Sequence, residues 1–166
     1  MKQRSKINKG FSKLILPLLL SCFVVACSDD DVDNAYGKNQ YNMDIAVNAS
    51  EIVLNEDTPD DVALTLEWTP ATDFGEDYVM TYVYEADLVG KKPSGAADGI
   101  KEYEDDNIFR RSYTHKQLQE MLVDKWGQLT SVTSSVEFSV TASYDGLRLT
   151  IPETATAVIK VRTYGP

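Results

Sequence analysis

Carboxylates are the commonest groups in this sequence that could do chemistry, beside one histidine, two cysteines and nine tyrosines. Two carboxylates can act as general acid and base across a glycosidic bond, provided an apolar pocket keeps one of them protonated. Here the acids fall in runs, Glu56-Asp57 with Asp60-Asp61, Asp73 with Glu76-Asp77, and Glu104-Asp105-Asp106, all in loop-like stretches. No spacing singles one out, so a solvated surface is the better reading, with loose calcium binding between loops as the lesser one. His115, the only histidine, sits at the first position of a helix and is expected on the surface. No second histidine or free thiol can join it in a metal site, and no glycine-rich phosphate loop or nucleophile elbow occurs. No catalytic residue, metal or cofactor is expected. The remaining candidates are tyrosines, whose flat rings can form a platform for a sugar. Tyr78, Tyr103 and Tyr113 are the best exposed, because Tyr82, Tyr84 and Tyr144 share parity with core positions. Tyrosine also favours strands for packing reasons alone, and that plainer reading competes with the binding one.

The most specific chemistry belongs to Cys27. Residues 1–13 carry Lys2, Arg4, Lys6, Lys9 and Lys13 and no acid, and an apolar run follows from Leu14 to Ala26. That run has the length of a secretory signal and falls short of the roughly 20 apolar residues of a spanning helix. Pro17 within it weakens a stable helix further. It ends in Val24-Val25-Ala26-Cys27, which resembles a bacterial lipobox. The resemblance implies a diacylglyceryl group on the Cys27 thiol, cleavage after Ala26 and acylation of the new amine. Several acyl chains on one residue attach a protein to a membrane durably, without a spanning segment.

A signal peptide over 1–26 leaves 140 residues, one ordinary domain by length. Five of the sixteen basic residues leave with it, so eleven face 26 acids and the net charge becomes −15. Phosphate backbones should repel such a chain, so nucleic acid is not an expected partner. Cys22 leaves too and Cys27 is lipidated, so no disulfide is available and the apolar core must hold the fold.

Residues 27–43 are polar and acidic without periodicity, and are expected to tether the lipid to a domain over 44–166. Asp29, Asp31 and Asp33 alternate like the start of a calcium loop, but its glycine and distal glutamate are missing. The acids directly after Cys27 resemble the export signal that sends lipoproteins of Bacteroidota-type bacteria to the outer face of the outer membrane.

From Ile45 the chain reads as strands separated by turns. Ile45–Val47 and Glu51–Leu54 make a strand pair or one bent strand. Ala63–Trp68 alternates, with Leu64, Leu66 and Trp68 on one face, and Met80–Leu88 repeats the pattern. Gly90, Pro93, Ser94, Gly95 and Gly99 mark a loop. Ile100–Tyr103 and Ile108–Tyr113 are read as a hairpin. In Val136–Tyr144 the alternate residues Val136, Phe138, Val140, Ala142 and Tyr144 are apolar or aromatic. Asp145-Gly146 signals a tight turn before a strand over Leu147–Ile151, and Ala157–Tyr164 is the last strand. One helix interrupts them: Thr114 and Gln117 form a capping box, Leu118, Met121, Leu122 and Trp126 follow at helical spacing, and Gly127 stops it. Trp126 is expected to plug the helix onto the core. About seven short half-buried strands imply an all-β sandwich of two antiparallel sheets, immunoglobulin-like or fibronectin type III-like, with one short helix.

The block from Ala63 through Trp68-Thr-Pro-Ala-Thr-Asp-Phe-Gly75, the Tyr82–Asp87 strand, the Thr114–Gly127 helix and the Val136–Ser143 strand resemble the N-terminal domain of SusE-type outer-membrane lipoproteins. The resemblance runs from about residue 45 to the C-terminus. It implies a place in a polysaccharide-utilisation system beside a SusC-like porin and a SusD-like glycan-binding lipoprotein. It also implies an outer-membrane location facing the exterior. The family's glycan sites are implied to lie on later domains, which would begin beyond Pro166. The resemblance therefore carries over anchor, location and fold, but no sugar-binding residue. A spacer or partner-docking domain without catalytic activity is expected, with polysaccharide binding through the tyrosines as the alternative.

Overall fold

The computed structural model describes residues 43–165 apart from 91 and 106, so Cys27, the expected signal peptide and all but Met43 of the expected tether lie outside the described residues. The elements run β1 (Ile45–Val47), β2 (Glu51–Val53), β3 (Val62–Trp68), β4 (Tyr78–Leu88), β5 (Ile100–Glu104), β6 (Arg110–Thr114), α1 (His115–Glu120), β7 (Thr133–Gly146) and β8 (Glu153–Arg162). A π-helical turn, Met121–Lys125, continues α1. β1-β3-β6 form one sheet and β2-β8-β7-β4-β5 the other. The result is an all-β, immunoglobulin-like sandwich whose opening strand divides between the two sheets.

Period-two alternation builds the core. Leu64, Leu66 and Trp68 of β3 face Tyr82, Tyr84 and Ala86 of β4 and Val136, Phe138, Val140 and Ala142 of β7, with Ile159 and Val161 from β8. Fully burying one such large side chain stabilises by about 1.5–3 kcal/mol. Trp68, buried, stacks on Tyr84 with centroids 6.5 Å apart.

The helix forms where its caps place it. Thr114 Oγ1 accepts from the Gln117 amide at 3.2 Å, and Gln117 Oε1 accepts from the Thr114 amide at 2.8 Å. Gly127, at φ +66°, then turns the chain out in a conformation that costs other residues strain. Leu118, Met121, Leu122 and Trp126 are buried, and the Trp126 indole donates to Asp98 O at 3.3 Å. Gln119 of α1 is half-buried. It donates to Tyr164 O and accepts from the Tyr164 amide, at 3.0 and 3.1 Å, and so docks the segment after β8.

Four expectations need correction. β1 and β2 are neither a pair nor one strand: β1 pairs antiparallel with β3, and β2 pairs parallel with β8. The second sheet is therefore not wholly antiparallel. β5 and β6 are not a hairpin, because β5 adds to β4 and β6 to β3, on opposite sheets. The inward parity of β5 belongs to Ile100, Glu102 and Glu104, and the two acids meet Arg111 of β6 across the gap. Finally, 147–151 is not a strand. β7 runs on to Gly146 beside Tyr78 of β4, while β8 begins with Glu153 opposite Ala142. Residues 147–152 must bridge that offset, which leaves them no ladder partner.

One end of the sandwich collects the start of the domain and three connections. Asp44 and Thr69 exchange hydrogen bonds, from the Asp44 amide to Thr69 Oγ1 at 2.9 Å and from the Thr69 amide to Asp44 O at 3.0 Å. The Trp68 amide donates to Phe109 O at 3.0 Å, and Phe109 packs edge-on against Tyr82. Residues 69–77, 105–109 and 147–152 thus lie at the end where the chain enters the domain.

Candidate functional site

The three tyrosines expected to form a platform do not come together. Tyr103 lies on β5 with 73% of its surface exposed, beside Val83 on the outer face of the larger sheet. Tyr113 faces inward from β6, half-buried, with its hydroxyl 2.8 Å from that of Tyr84 and its ring 6.0 Å from Phe138. Tyr78, also half-buried, packs on Phe74 at 5.5 Å and against Gly146, where a Cβ would come within 2.3 Å of the Tyr78 ring. Only Tyr103 offers an open ring.

What surrounds Tyr103 follows from register. The row Tyr103–Val83–Thr141–Thr154 crosses the outer face, and the next row is Lys101–Glu85–Ser139–Thr156. Thr141 and Thr154 share a hydrogen bond at 2.9 Å, and Lys101 bonds Glu85 at 2.9 Å. The same face carries an open groove of about 450 Å³ lined by Asp87, Asp98 and Glu137 as well as that ion pair. The face thus combines hydroxyls, an ion pair and acids with the open ring of Tyr103.

Inside, a charged cluster joins the sheets. Arg111 of β6 bonds Glu102 at 2.7 Å and Glu104, both of β5, and its guanidinium lies 4.1 Å from the centroid of Tyr84. Burial opposes the charged guanidinium, but its bonds to Glu104, Glu102 and Tyr113 outweigh that and raise its pKa above the ordinary value. Burial, with the Tyr113 hydroxyl beside it, pushes the Tyr84 phenol far up. Glu104, read from sequence as part of a solvated run, has a side chain only 6% exposed. Each of these residues looks like an ordinary surface charge in sequence. Only the alternation of β5, with two acids on its inward parity, hinted at the cluster.

At the entrance end, the segment Thr69–Asp77 is fastened by a second polar group. Tyr82 Oη accepts from the Ala71 amide at 2.8 Å. Glu153, buried, accepts from the Thr72 amide at 3.0 Å and from the Tyr144 hydroxyl at 2.6 Å. Phe74 caps the group, edge-on to Tyr144 at 4.9 Å. Burial raises the pKa of Tyr82, and burial together with the Glu153 bond raises that of Tyr144. The Pro-Ala-x-Asp-x-Gly part of the block is thereby a structural loop: Asp73 bonds the Gly75 amide at 2.8 Å, and Gly75 takes φ +86°.

His115 is half-buried rather than fully exposed, its Nδ1 accepting from the Asn55 amide at 3.3 Å. Among the described residues, no group of three or more His, Cys, Asp or Glu is arranged to hold a metal ion, and no helix is long and apolar enough to cross a membrane.

No curated protein matches the chain, and no solved structure matches it. The family model described as SusE outer membrane protein matches residues 29–141, from within the tether segment to β7. That span exceeds half of the sequence and takes in the smaller sheet, the larger sheet as far as the middle of β7, the Thr69–Asp77 loop and the capped helix, so the chain belongs to the SusE outer membrane protein family.

Proposed function

We propose that the protein is a surface-exposed lipoprotein of a Sus-like glycan-uptake system, held in the outer membrane through Cys27 and acting as a spacer or partner-docking domain without catalytic activity. The partners this reading names are a SusC-like porin and a SusD-like lipoprotein. Family membership supports the setting. The observation that carries the structural role is where the tyrosine hydroxyls go: those of Tyr82, Tyr84, Tyr113 and Tyr144 are used to hold loops and sheets together. A protease added to intact cells should degrade the protein and spare periplasmic markers; full protection would reject a surface location. Retention of the porin on the tagged, full-length protein after membrane solubilisation would support docking, and its absence would count against it.

Tyr103 favours a second reading, in which the outer face of the larger sheet binds a polysaccharide. An open ring in one cross-strand row with Thr141 and Thr154, next to the Lys101–Glu85 pair, offers stacking and hydrogen bonds on one face of the sheet. Affinity electrophoresis of residues 28–166 through gels containing plant, host and microbial polysaccharides separates the readings. Retardation that Tyr103→Ala abolishes would establish binding. No retardation in any gel would leave the docking role.

A further inference from the structure

We propose that the loop 147–152 is a second membrane contact, whose Leu147, Leu149 and Ile151 enter the lipid interface beneath the domain. The inference rests on the lipid-anchor reading above. Single exposed aliphatic residues are ordinary on a protein surface. Here three occupy alternate positions of one short segment, with 80%, 97% and 55% of their surfaces exposed. Val79, 67% exposed, adds a fourth, since it pairs with Asp145 two residues before the loop. The loop also has a defined inner side, because Thr150 Oγ1 is enclosed. Thr150 alone turns toward the protein, while Arg148 and Pro152 are exposed like the three aliphatic residues.

Position identifies the occupant. The loop lies at the end where Asp44 and Thr69 hold the start of the domain. Sixteen residues, 28–43, separate that start from Cys27, and a chain of that length spans at most about 55 Å. A lipid on Cys27 therefore keeps this end within reach of a bilayer, and under such confinement even a weak apolar contact is populated. Charge refines the choice of lipid. Arg148 is the only base in the three connections at this end, and its long stem can keep its charge among headgroup phosphates. Asp44, Asp73, Glu76, Asp77, Asp105 and Asp145 accompany it, so a zwitterionic surface should be favoured over an anionic one.

The test uses the full-length, lipidated protein in phosphatidylcholine vesicles. Because Cys27 is acylated in this reading, Leu149→Cys provides a unique thiol for a nitroxide, and Leu129→Cys provides a control. Leu129 is 75% exposed and belongs to the segment that Thr163 fastens beyond the far end of β8. Both sites are open, so neither substitution disturbs the core. The label at 149 should shift from nickel-chelate-dominated to oxygen-dominated relaxation on vesicles, while the label at 129 stays nickel-dominated. Replacing part of the phosphatidylcholine by phosphatidylglycerol should reduce the shift. A label at 149 as open to nickel as that at 129, with the protein still floating with the vesicles, overturns the lipid contact and points to a protein on this loop. Failure to float overturns the anchor and the contact together.

Discussion

Replacing Arg111 by Met would leave the enclosed carboxylate of Glu104 beside Tyr84 with no cation. Removing one partner of a buried ion pair typically costs about 3–5 kcal/mol, so chemical denaturation of Arg111→Met should show a loss at the lower end of that range, given the exposure of Glu102. Adding Glu104→Leu should recover much of it, because the penalty comes from the stranded charge. The phenols make a separate prediction. Tyr82, Tyr84 and Tyr144 have pKa values raised in the fold above the ordinary 10.0. The unfolded chain therefore loses protons first as pH rises. Their contribution is complete below pH 10 and is lost above it, as pH climbs toward the folded values. An alkaline titration should show the tyrosinate absorbance of these three appearing together with loss of folded structure. At Glu153, replacement by Leu removes one acceptor of the Thr72 amide, and hydrogen exchange there should quicken relative to that of Val140 in the core.

At the scale of elements, the capping box allows a clean test. Thr114→Ala removes the side-chain acceptor for the Gln117 amide and should cost about 1 kcal/mol in equilibrium unfolding. The box was legible in sequence because its two residues lie three apart and need nothing else. The alternation of β4 and β7 was legible for a similar reason: burial on one face imposes period two on each strand separately. Strand partnership was not, since β5 joining β4 while β6 joins β3 brings Arg111 to Glu102 and Glu104, residues that look solvated one at a time. Leu147–Ile151 shows the converse. Its alternation is that of a strand, yet the register of β8 leaves it no neighbour. Of the candidate site, the exposure of Tyr103 was readable from parity, whereas Tyr113 was lost to an inward turn no local pattern reveals.

For the molecule as a whole, the order of strands matters beyond stability. β8, the last strand, lies between β2 and β7, so the larger sheet joins the beginning of the domain to its end. Contacts this distant in sequence form late, because the loop must close before it is stabilised. A chain ending at Ile151 would lack the strand that β2 and β7 share, and it should bind a hydrophobic dye and show no cooperative unfolding. A polypeptide emerging in order, from ribosome or export channel, meets the same condition: until residues 153–162 have emerged, β2 has nothing to pair with. The position of one strand thus makes the domain a late folder, closed only when its final segment has emerged.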